Sequence, residues 1–110
     1  MAASARARLI ASAGGRSWIV VEGQLPRPAA PYLSAVLLER CGRQPEVFLD
    51  LRQALLGGPE EGTRGAFLPE GPRVFHVMAG EPWRSLLARD RRVRFHAGAE
   101  EAWQAWCSAS

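Results

Sequence analysis

The side chains best suited to chemistry in this sequence are two histidines, His76 and His96, and two cysteines, Cys41 and Cys107. A cysteine nucleophile needs a nearby base, a group that orients the base, and donors for the developing oxyanion. Asp50 is a candidate for the orienting group, but no G-x-S-x-G elbow positions a nucleophile. No Cys/His ligand motif surrounds either histidine, and the cysteines form no CxxC pair. We therefore expect structural histidines, partly buried cysteines, no metal and no cofactor.

Paired glycines and clustered arginines are the features closest to a phosphate-binding motif. Gly14-Gly15 and Gly57-Gly58 belong neither to a P-loop nor to a G-x-G-x-x-G fingerprint. The net charge is +3, and the one dense basic stretch, residues 89–94, predicts a solvated turn rather than a nucleic-acid-binding stripe. All 14 cationic residues are arginine, with no lysine and no asparagine, which is typical of a GC-rich bacterial genome. We expect no nucleic-acid partner.

One domain must position these residues, because 110 residues is close to the usual size of a single domain. Hydrophobic periodicity and turn residues predict the order β-β-α-β-(α)-β-α-β-α over residues 1–110. This order predicts an α/β fold with a mixed sheet of about five strands, an N-terminal hairpin and three to four helices. The predicted strands are residues 8–12, 17–23, 46–51, 73–78 and 92–96. The predicted helices are residues 32–41, 81–89 and 98 or 99 onward, with a possible helical turn at 60–67.

Two positions in these elements stand out as functional candidates. Asp50 lies near the carboxyl end of a predicted central strand, where open α/β sheets usually carry their sites; alternatively, it binds the following loop. Trp83, at the start of a predicted helix, is a candidate for an exposed aromatic anchor, since tryptophan is enriched in interface hot spots. No apolar run approaches the ~20 residues of a membrane span, and no signal peptide is evident, so we expect a cytoplasmic protein without a membrane span.

Three segments, taken in their order and spacing, resemble the STAS family, the sulfate-transporter and anti-sigma-factor-antagonist domain. Residues 17–25 (SWIVVEGQL) are similar to the second strand of the family, and residues 47–51 (VFLDL) to its central V-V-L-D-L strand. Residues 82–103 are similar to its closing helix, strand and helix. The resemblance covers about residues 6–107 and implies a STAS-like sheet topology.

The phosphorylation loop of the family is where this sequence departs from the pattern. In regulatory STAS domains, a serine of a D-S-S-G loop after the central strand is phosphorylated. The resemblance places that loop near residues 57–62, which contain no serine, and the nearest hydroxyl belongs to Thr63. Glu60 and Glu61 either supply negative charge in place of a phosphoserine or form an ordinary acidic turn. The resemblance therefore implies partner binding without the phosphorylation switch.

We accordingly predict a non-catalytic protein-interaction module that resembles an anti-sigma factor antagonist or STAS regulatory subunit. The resemblance implies a kinase-type anti-sigma factor, another signalling protein or the ATPase of a transporter as the partner. Two alternatives stay open. One is a self-associating scaffold, hence a homo-oligomer, joined through its predicted edge strand at residues 92–96 and through residues 91–94. The other is a small enzyme that uses Asp50 or a cysteine. The predicted partner-binding residues are Gln24, Arg27, Asp50, Arg52, Gly58, Glu60, Glu61, Thr63 and Trp83.

Overall fold

A five-stranded mixed sheet and three helices form the part of the chain that the computed structural model describes, residues 5–57 and 66–108. The elements in chain order are β1 (Arg6–Ala13), β2 (Arg16–Gln24), α1 (Ala29–Cys41), β3 (Glu46–Leu55), β4 (Val74–Met78), α2 (Trp83–Leu87), β5 (Val93–His96) and α3 (Ala99–Ser108). The strands lie in the order β1-β2-β3-β4-β5, with β1 antiparallel to β2 and all other neighbours parallel. The predicted α/β fold class is confirmed. None of the described helices is long and apolar enough to cross a membrane.

The β1–β2 hairpin follows from the glycine pair between the two strands. Gly14 and Gly15 have φ values of +57° and +79°, the left-handed conformation that a two-residue hairpin turn requires at both central positions. The strands pair directly on either side of this turn, with Ala13 opposite Arg16. The predicted N-terminal hairpin is therefore confirmed.

α1 begins at Ala29, earlier than the predicted start at Tyr32. Pro31 lies in the first turn, where backbone N–H groups have no partner inside the helix, so its missing N–H costs no hydrogen bond. The helix ends at Cys41, and the following Gly42 donates its N–H to the Leu38 carbonyl at 2.9 Å. The predicted stop at Gly42 is confirmed.

Two hydrophobic cores lie on opposite faces of the sheet, because successive side chains of a strand point to opposite faces. α1 and α2 contribute to the larger core, to which Leu49 of β3 belongs. α3 covers the smaller core, to which the neighbouring Phe48 belongs. The smaller core consists of Trp18, Phe48, Met78, Ala102 and Trp106.

β3 extends beyond its predicted end at Leu51. It pairs with β2 as far as Leu55 opposite Gln24, whereas its pairing with β4 stops at Asp50 opposite Met78. The last part of β3 therefore has a strand on one side only. The possible helical turn at 60–67 falls mainly outside the described residues, and the described Ala66 and Phe67 are not helical.

Candidate functional site

The candidate site lies where β2, β3 and β4 end at the same edge of the sheet, the usual position of ligand sites in open α/β folds. β3 projects past the end of β4. On that side the projecting part of β3 faces α2, which follows β4 after the short connection at Gly80 and Glu81. The backbone of β3 must therefore find hydrogen-bond partners other than a strand.

Asp50 is a buried carboxylate whose two oxygens are occupied by Arg52. Oδ1 accepts hydrogen bonds from the backbone N–H and the Nε of Arg52, both at 3.0 Å, and Oδ2 accepts one from Nη2 at 2.8 Å. The β2–β3 pairing is irregular here, between Val20 and Glu22. The side-chain hydrogen bond with Asp50 raises the pKa of the Arg52 guanidinium. Asp50 lies inside β3, and not near its end as predicted, because β3 continues through this irregularity to Leu55.

Trp83 is 2% exposed, so the prediction of an exposed aromatic anchor at this position is wrong. Its indole Nε1–H donates to the Ala54 carbonyl at 3.0 Å, and its ring meets the Phe67 ring edge-on at 5.4 Å between centroids. The physical reason is that β4 ends before it reaches Ala54, and the indole satisfies the carbonyl in its place. The exposed tryptophan is Trp103 of α3, with 53% of its surface open to solvent.

A cleft of about 400 Å³ opens between the end of β3 and the start of α2. Leu55 on its rim is 58% exposed, while the Arg52 side chain beside it is 45% exposed. Glu81 accepts hydrogen bonds from the Ser85 hydroxyl at 2.6 Å and the Ser85 N–H at 3.2 Å, which ties the first turn of α2 to the cleft. The apolar lining residues are Leu51, Ala54, Leu55, Leu56, Pro82, Trp83 and Leu86.

Gln24 and Arg27 lie together beside the end of β3. The Leu25 N–H donates to the Leu55 carbonyl at 2.9 Å, and Gln24 Nε2 lies 3.5 Å from the same oxygen. A Cβ atom added at Gly57 would lie 3.1 Å from Arg27 Nε and 3.4 Å from Gln24 Nε2. A Cβ atom at position 57 would therefore require the Arg27 or Gln24 side chain to move by a few tenths of an ångström. Gln24 and Arg27 therefore form the polar border of β3 on the side away from α2.

Five of the nine predicted site residues are described, and they form three groups. Asp50 and Arg52 form an ion pair inside β3, Gln24 and Arg27 lie beside the end of β3, and Trp83 of α2 donates to the β3 backbone. The remaining predicted residues lie outside the described part of the chain, and these are Gly58, Glu60, Glu61 and Thr63.

A second polar feature, which the sequence alone did not reveal, runs across β3, β4, β5 and α3. Glu46 Oε1 lies 2.9 Å from His76 Nε2, and His76 Nδ1 lies 2.9 Å from His96 Nε2. His96 Nδ1 lies 3.3 Å from Glu101 Oε1, but it is buried and has no hydrogen-bond partner among the described residues. Glu46 is far from both histidines along the chain. Glu101 follows His96 closely but forms no known ligand motif with it. The one signal in the sequence for these contacts was the predicted parallel sheet, in which neighbouring strands lie side by side.

The two cysteines differ in their surroundings. Cys41 is buried in the larger core, and burial raises the pKa of its thiol to about 11. Cys107 is exposed on α3. Within residues 5–57 and 66–108, no three His, Cys, Asp or Glu side chains converge in a way that could hold a metal ion.

No protein-family model matches this sequence, and no curated protein matches it either. The resemblance to STAS domains consequently stays a prediction. The structure itself defines an α/β protein with a mixed five-stranded sheet and a cleft beside its central strand.

Proposed function

We propose that this chain is a non-catalytic protein-binding module, similar in role to STAS regulatory domains, and that it binds its partner at the cleft between β3 and α2. The observation that carries the proposal is Leu55, an apolar side chain that is 58% exposed on the rim of that cleft. Leu55 extends a cleft that is lined largely by apolar side chains with a few polar groups, which is a common form of binding site.

The apolar lining of the cleft provides a favourable free energy of association. Leu51 and Leu56 line it from β3 and the residues after it, and Leu86 lines it from α2. Complete burial of a leucine side chain contributes about 1.5–3 kcal/mol, so covering the exposed part of Leu55 contributes about 1–2 kcal/mol. A partner side chain of leucine or phenylalanine size would fill the space next to Leu55.

Polar groups surround the apolar centre. Arg52 and Glu81 line the cleft, and Gln24 and Arg27 border the end of β3. Interfaces between proteins commonly combine an apolar centre with a polar rim of this kind. The rim supplies orientation and specificity, while Leu55 and the apolar lining of the cleft supply the hydrophobic contact.

Two of the groups named for the small-enzyme alternative, Asp50 and Cys41, are held in structural roles, which favours binding over that alternative. Both carboxylate oxygens of Asp50 accept hydrogen bonds from Arg52. The raised pKa of Cys41, about 11, keeps its buried thiol protonated at neutral pH, and the protonated thiol is a poor nucleophile.

The class of partner follows from the resemblance to STAS domains. That resemblance favours a kinase-type anti-sigma factor, another signalling protein or a transporter ATPase, encountered in the cytoplasm of a bacterial cell. The absence of serine from residues 57–62 favours binding that does not depend on phosphorylation of this loop.

Self-association is a second candidate, and the edge strand β1 is the observation that favours it. Leu9 and Ile10 of β1 are 43% and 54% exposed, and β1 pairs with a strand on one side only. The predicted scaffold contact at residues 91–94 has less support, because Arg92 is bound to Asp90 at 2.7 Å. The predicted edge strand, residues 92–96, corresponds to β5, which is the other edge of the sheet. Of the two edges, β1 carries the more exposed apolar side chains and is the one we propose for a second copy.

Site-specific crosslinking tests the proposal and its competitor together. A photo-crosslinking amino acid at position 55, and separately at position 9, is expressed in the cells that make the protein. The protein captured from position 55 is then purified and titrated with wild type, Leu55→Glu and Leu9→Glu. We expect Leu55→Glu to raise Kd by about tenfold or more, equivalent to about 1.4 kcal/mol, because it places a charge on the apolar rim.

Leu9→Glu is the matched control, since it makes the same change at an exposed strand leucine away from the cleft. We expect this variant to leave Kd within about a factor of two of wild type, as is usual outside a hot spot. Equal effects of the two variants would contradict the proposed binding site. Crosslinks from position 9 to a second copy alone, with none from position 55, would establish self-association instead.

A further inference from the structure

We propose that the cleft between β3 and α2 binds an extended peptide segment of the partner, and that one residue of this segment pairs with β3 in the parallel direction. This inference rests on the proposed function and names the form that the partner takes at that site. The segment would continue the line of β4, which stops at Met78 opposite Asp50, whereas β3 runs on to Leu55. Addition of a strand to a free sheet edge is a common mode of peptide recognition.

The side of β3 that faces the cleft carries the Arg52 carbonyl and the backbone groups of Ala54. The Leu55 carbonyl lies on the opposite side, because it accepts the N–H of Leu25, the residue directly after β2, at 2.9 Å. Backbone groups alternate between the two sides of a strand, since the C=O and N–H of each planar peptide unit point in opposite directions. The hydrogen bond from Trp83 of α2 to the Ala54 carbonyl agrees with this direction.

Hydrogen bonds already occupy the two ends of this short stretch of β3 backbone. The Arg52 N–H donates to Asp50 Oδ1 at 3.0 Å, and the Ala54 carbonyl accepts from Trp83 Nε1 at 3.0 Å. The Arg52 carbonyl and the Ala54 N–H lie between these contacts and bond to no residue within 5–57 and 66–108. Ala54 is only 5% exposed, and buried backbone groups generally require a partner. A bound group that both donates and accepts would therefore complete this side of β3.

A parallel segment matches these two backbone groups with a single residue. In a parallel pair, each bonding residue donates its N–H to the residue before its opposite position and accepts from the residue after it. A residue opposite Gln53 therefore donates to the Arg52 carbonyl and accepts from the Ala54 N–H. In an antiparallel segment, two different residues would make these bonds, and each would also direct a backbone group at one already bound to Trp83 or Asp50. The occupied groups thus favour the parallel direction.

The two faces of β3 indicate which side chains the segment carries. Side chains alternate along a strand, so the residue opposite Gln53 shares a face with Leu55, which is 58% exposed. Diagonal neighbours on adjacent strands are within reach of long side chains, so an apolar side chain there would cover Leu55. The next residue of the segment points to the other face, where Ala54 packs in the larger core and Leu51 and Leu86 line the cleft. We therefore expect adjacent apolar residues in the segment.

Peptide display supplies a probe that does not require the partner to be known. A library of random short peptides on phage is selected on the full wild-type chain and depleted on Leu55→Glu. We expect the selected peptides to share adjacent apolar residues. Synthetic, isotope-labelled copies of these peptides are then used for titration and for NMR of the complex.

Replacement of Ala54 by lactic acid, introduced by nonsense suppression in cell-free translation, tests the backbone contact alone. It keeps the methyl side chain and exchanges the N–H for an ester oxygen. We expect the Kd of a selected peptide to rise by about three- to tenfold, the usual effect of losing one hydrogen bond. In the wild-type complex, NMR couplings across hydrogen bonds should connect the Ala54 nitrogen and the Arg52 carbonyl carbon to the same peptide residue.

Replacement of Ala99 by lactic acid is the matched control. Ala99 is exposed in the first turn of α3, where N–H groups have no partner inside the helix. The ester weakens the preceding carbonyl in the control as well, since Gly98 accepts the Ala102 N–H at 3.1 Å. We expect this ester to leave Kd within about a factor of two of wild type, as is usual away from a binding site.

Three results would each overturn the paired segment: equal Kd values for the two esters, couplings to two different peptide residues, or a selection that yields no peptide lost in Leu55→Glu. The partner captured from position 55 separates this inference from the proposed function. If Leu55→Glu weakens that partner and the Ala54 ester does not, the cleft is the binding site but no segment pairs with β3. If Leu55→Glu leaves its Kd unchanged, the proposed function fails, and this inference fails with it.

Discussion

At the residue scale, Trp83 and Asp50 have the same structural role. Each supplies a hydrogen-bond partner to the backbone of β3, which has no neighbouring strand beyond the end of β4. Asp50 accepts the Arg52 N–H, and Trp83 donates to the Ala54 carbonyl. A buried backbone group without a partner costs about 1–3 kcal/mol. Both positions are therefore constrained by the fold, and the exposed residues around them, Leu55 above all, are the ones free to contact a partner.

Substitution of Trp83 tests this constraint. Trp83→Phe keeps an aromatic ring against Phe67 but removes the donor to the Ala54 carbonyl. We expect the free energy of unfolding, measured with urea, to fall by about 1–3 kcal/mol. Trp103→Phe, at an exposed position, should cost about 0.5 kcal/mol or less. A loss no greater than that of the Trp103 variant would show that the hydrogen bond contributes little.

At the scale of elements, the end of α1 sets the direction in which the chain enters β3. Gly42 has φ +56° and ψ −122°, a backbone conformation that residues with a Cβ atom rarely adopt. Its N–H closes the last turn on Leu38, and its carbonyl accepts a hydrogen bond from Arg73 Nη1 at 3.0 Å. The helix end is thereby tied to the residue that precedes β4. The conformation of Gly42 thus affects both the end of α1 and the start of β4.

Gly42→Ala isolates the backbone contribution, because an added Cβ would meet no atom within 4 Å. We expect the free energy of unfolding to fall by about 1–3 kcal/mol through conformational strain alone. Gly80→Ala provides the comparison, since its Cβ also meets open space and its φ is not in the left-handed region. That variant should stay within about 0.5 kcal/mol of wild type. Equal stabilities of the two variants in urea unfolding would argue against strain at Gly42.

At the scale of the whole molecule, Arg92 joins segments that are distant in the sequence. Its guanidinium binds Asp90 at 2.7 Å, donates to the Pro69 carbonyl at 2.6 Å and to the Gly71 carbonyl at 3.1 Å, and lies 5.1 Å from the centre of the Phe75 ring. The sequence predicts a solvated turn at residues 89–94, and for Arg92 this prediction is wrong. The carbonyls of the chain before β4 bind it to the protein instead of leaving it in water.

We predict that the Asp90–Arg92 pair makes part of the stability of the fold sensitive to acid. The hydrogen bond from Arg92 lowers the pKa of the Asp90 carboxyl. The unfolded chain therefore binds this proton first, so the stabilisation is present above pH ~4 and is lost as the pH falls. We expect Asp90→Asn to lower stability at pH 7 by about 1 kcal/mol or less, and to weaken its fall between pH 5 and 3. Urea unfolding across this range measures both, and parallel curves for variant and wild type would contradict the assignment.

The sequence by itself determined the features that depend on neighbouring residues. The Gly14-Gly15 pair specifies the hairpin, Gly42 ends α1, and the alternation of apolar strands with helices gives the α/β class. These signals are local, because turn geometry and hydrophobic periodicity act over a few residues. The resemblance to STAS domains also placed Gln24, Arg27, Asp50 and Arg52 on a partner-binding face, and that role stays a prediction.

Only the tertiary structure decided which groups pair with the backbone at the ends of the strands. The length of β3 depends on its pairing with β2, and the burial of Trp83 depends on the Ala54 carbonyl that β4 leaves open. The contacts that join Glu46, His76, His96 and Glu101 likewise exist only because parallel pairing brings His76 beside His96 and α3 brings in Glu101. Each of these features is a contact between segments far apart in the chain. The sequence pattern within any one segment carries no information about it.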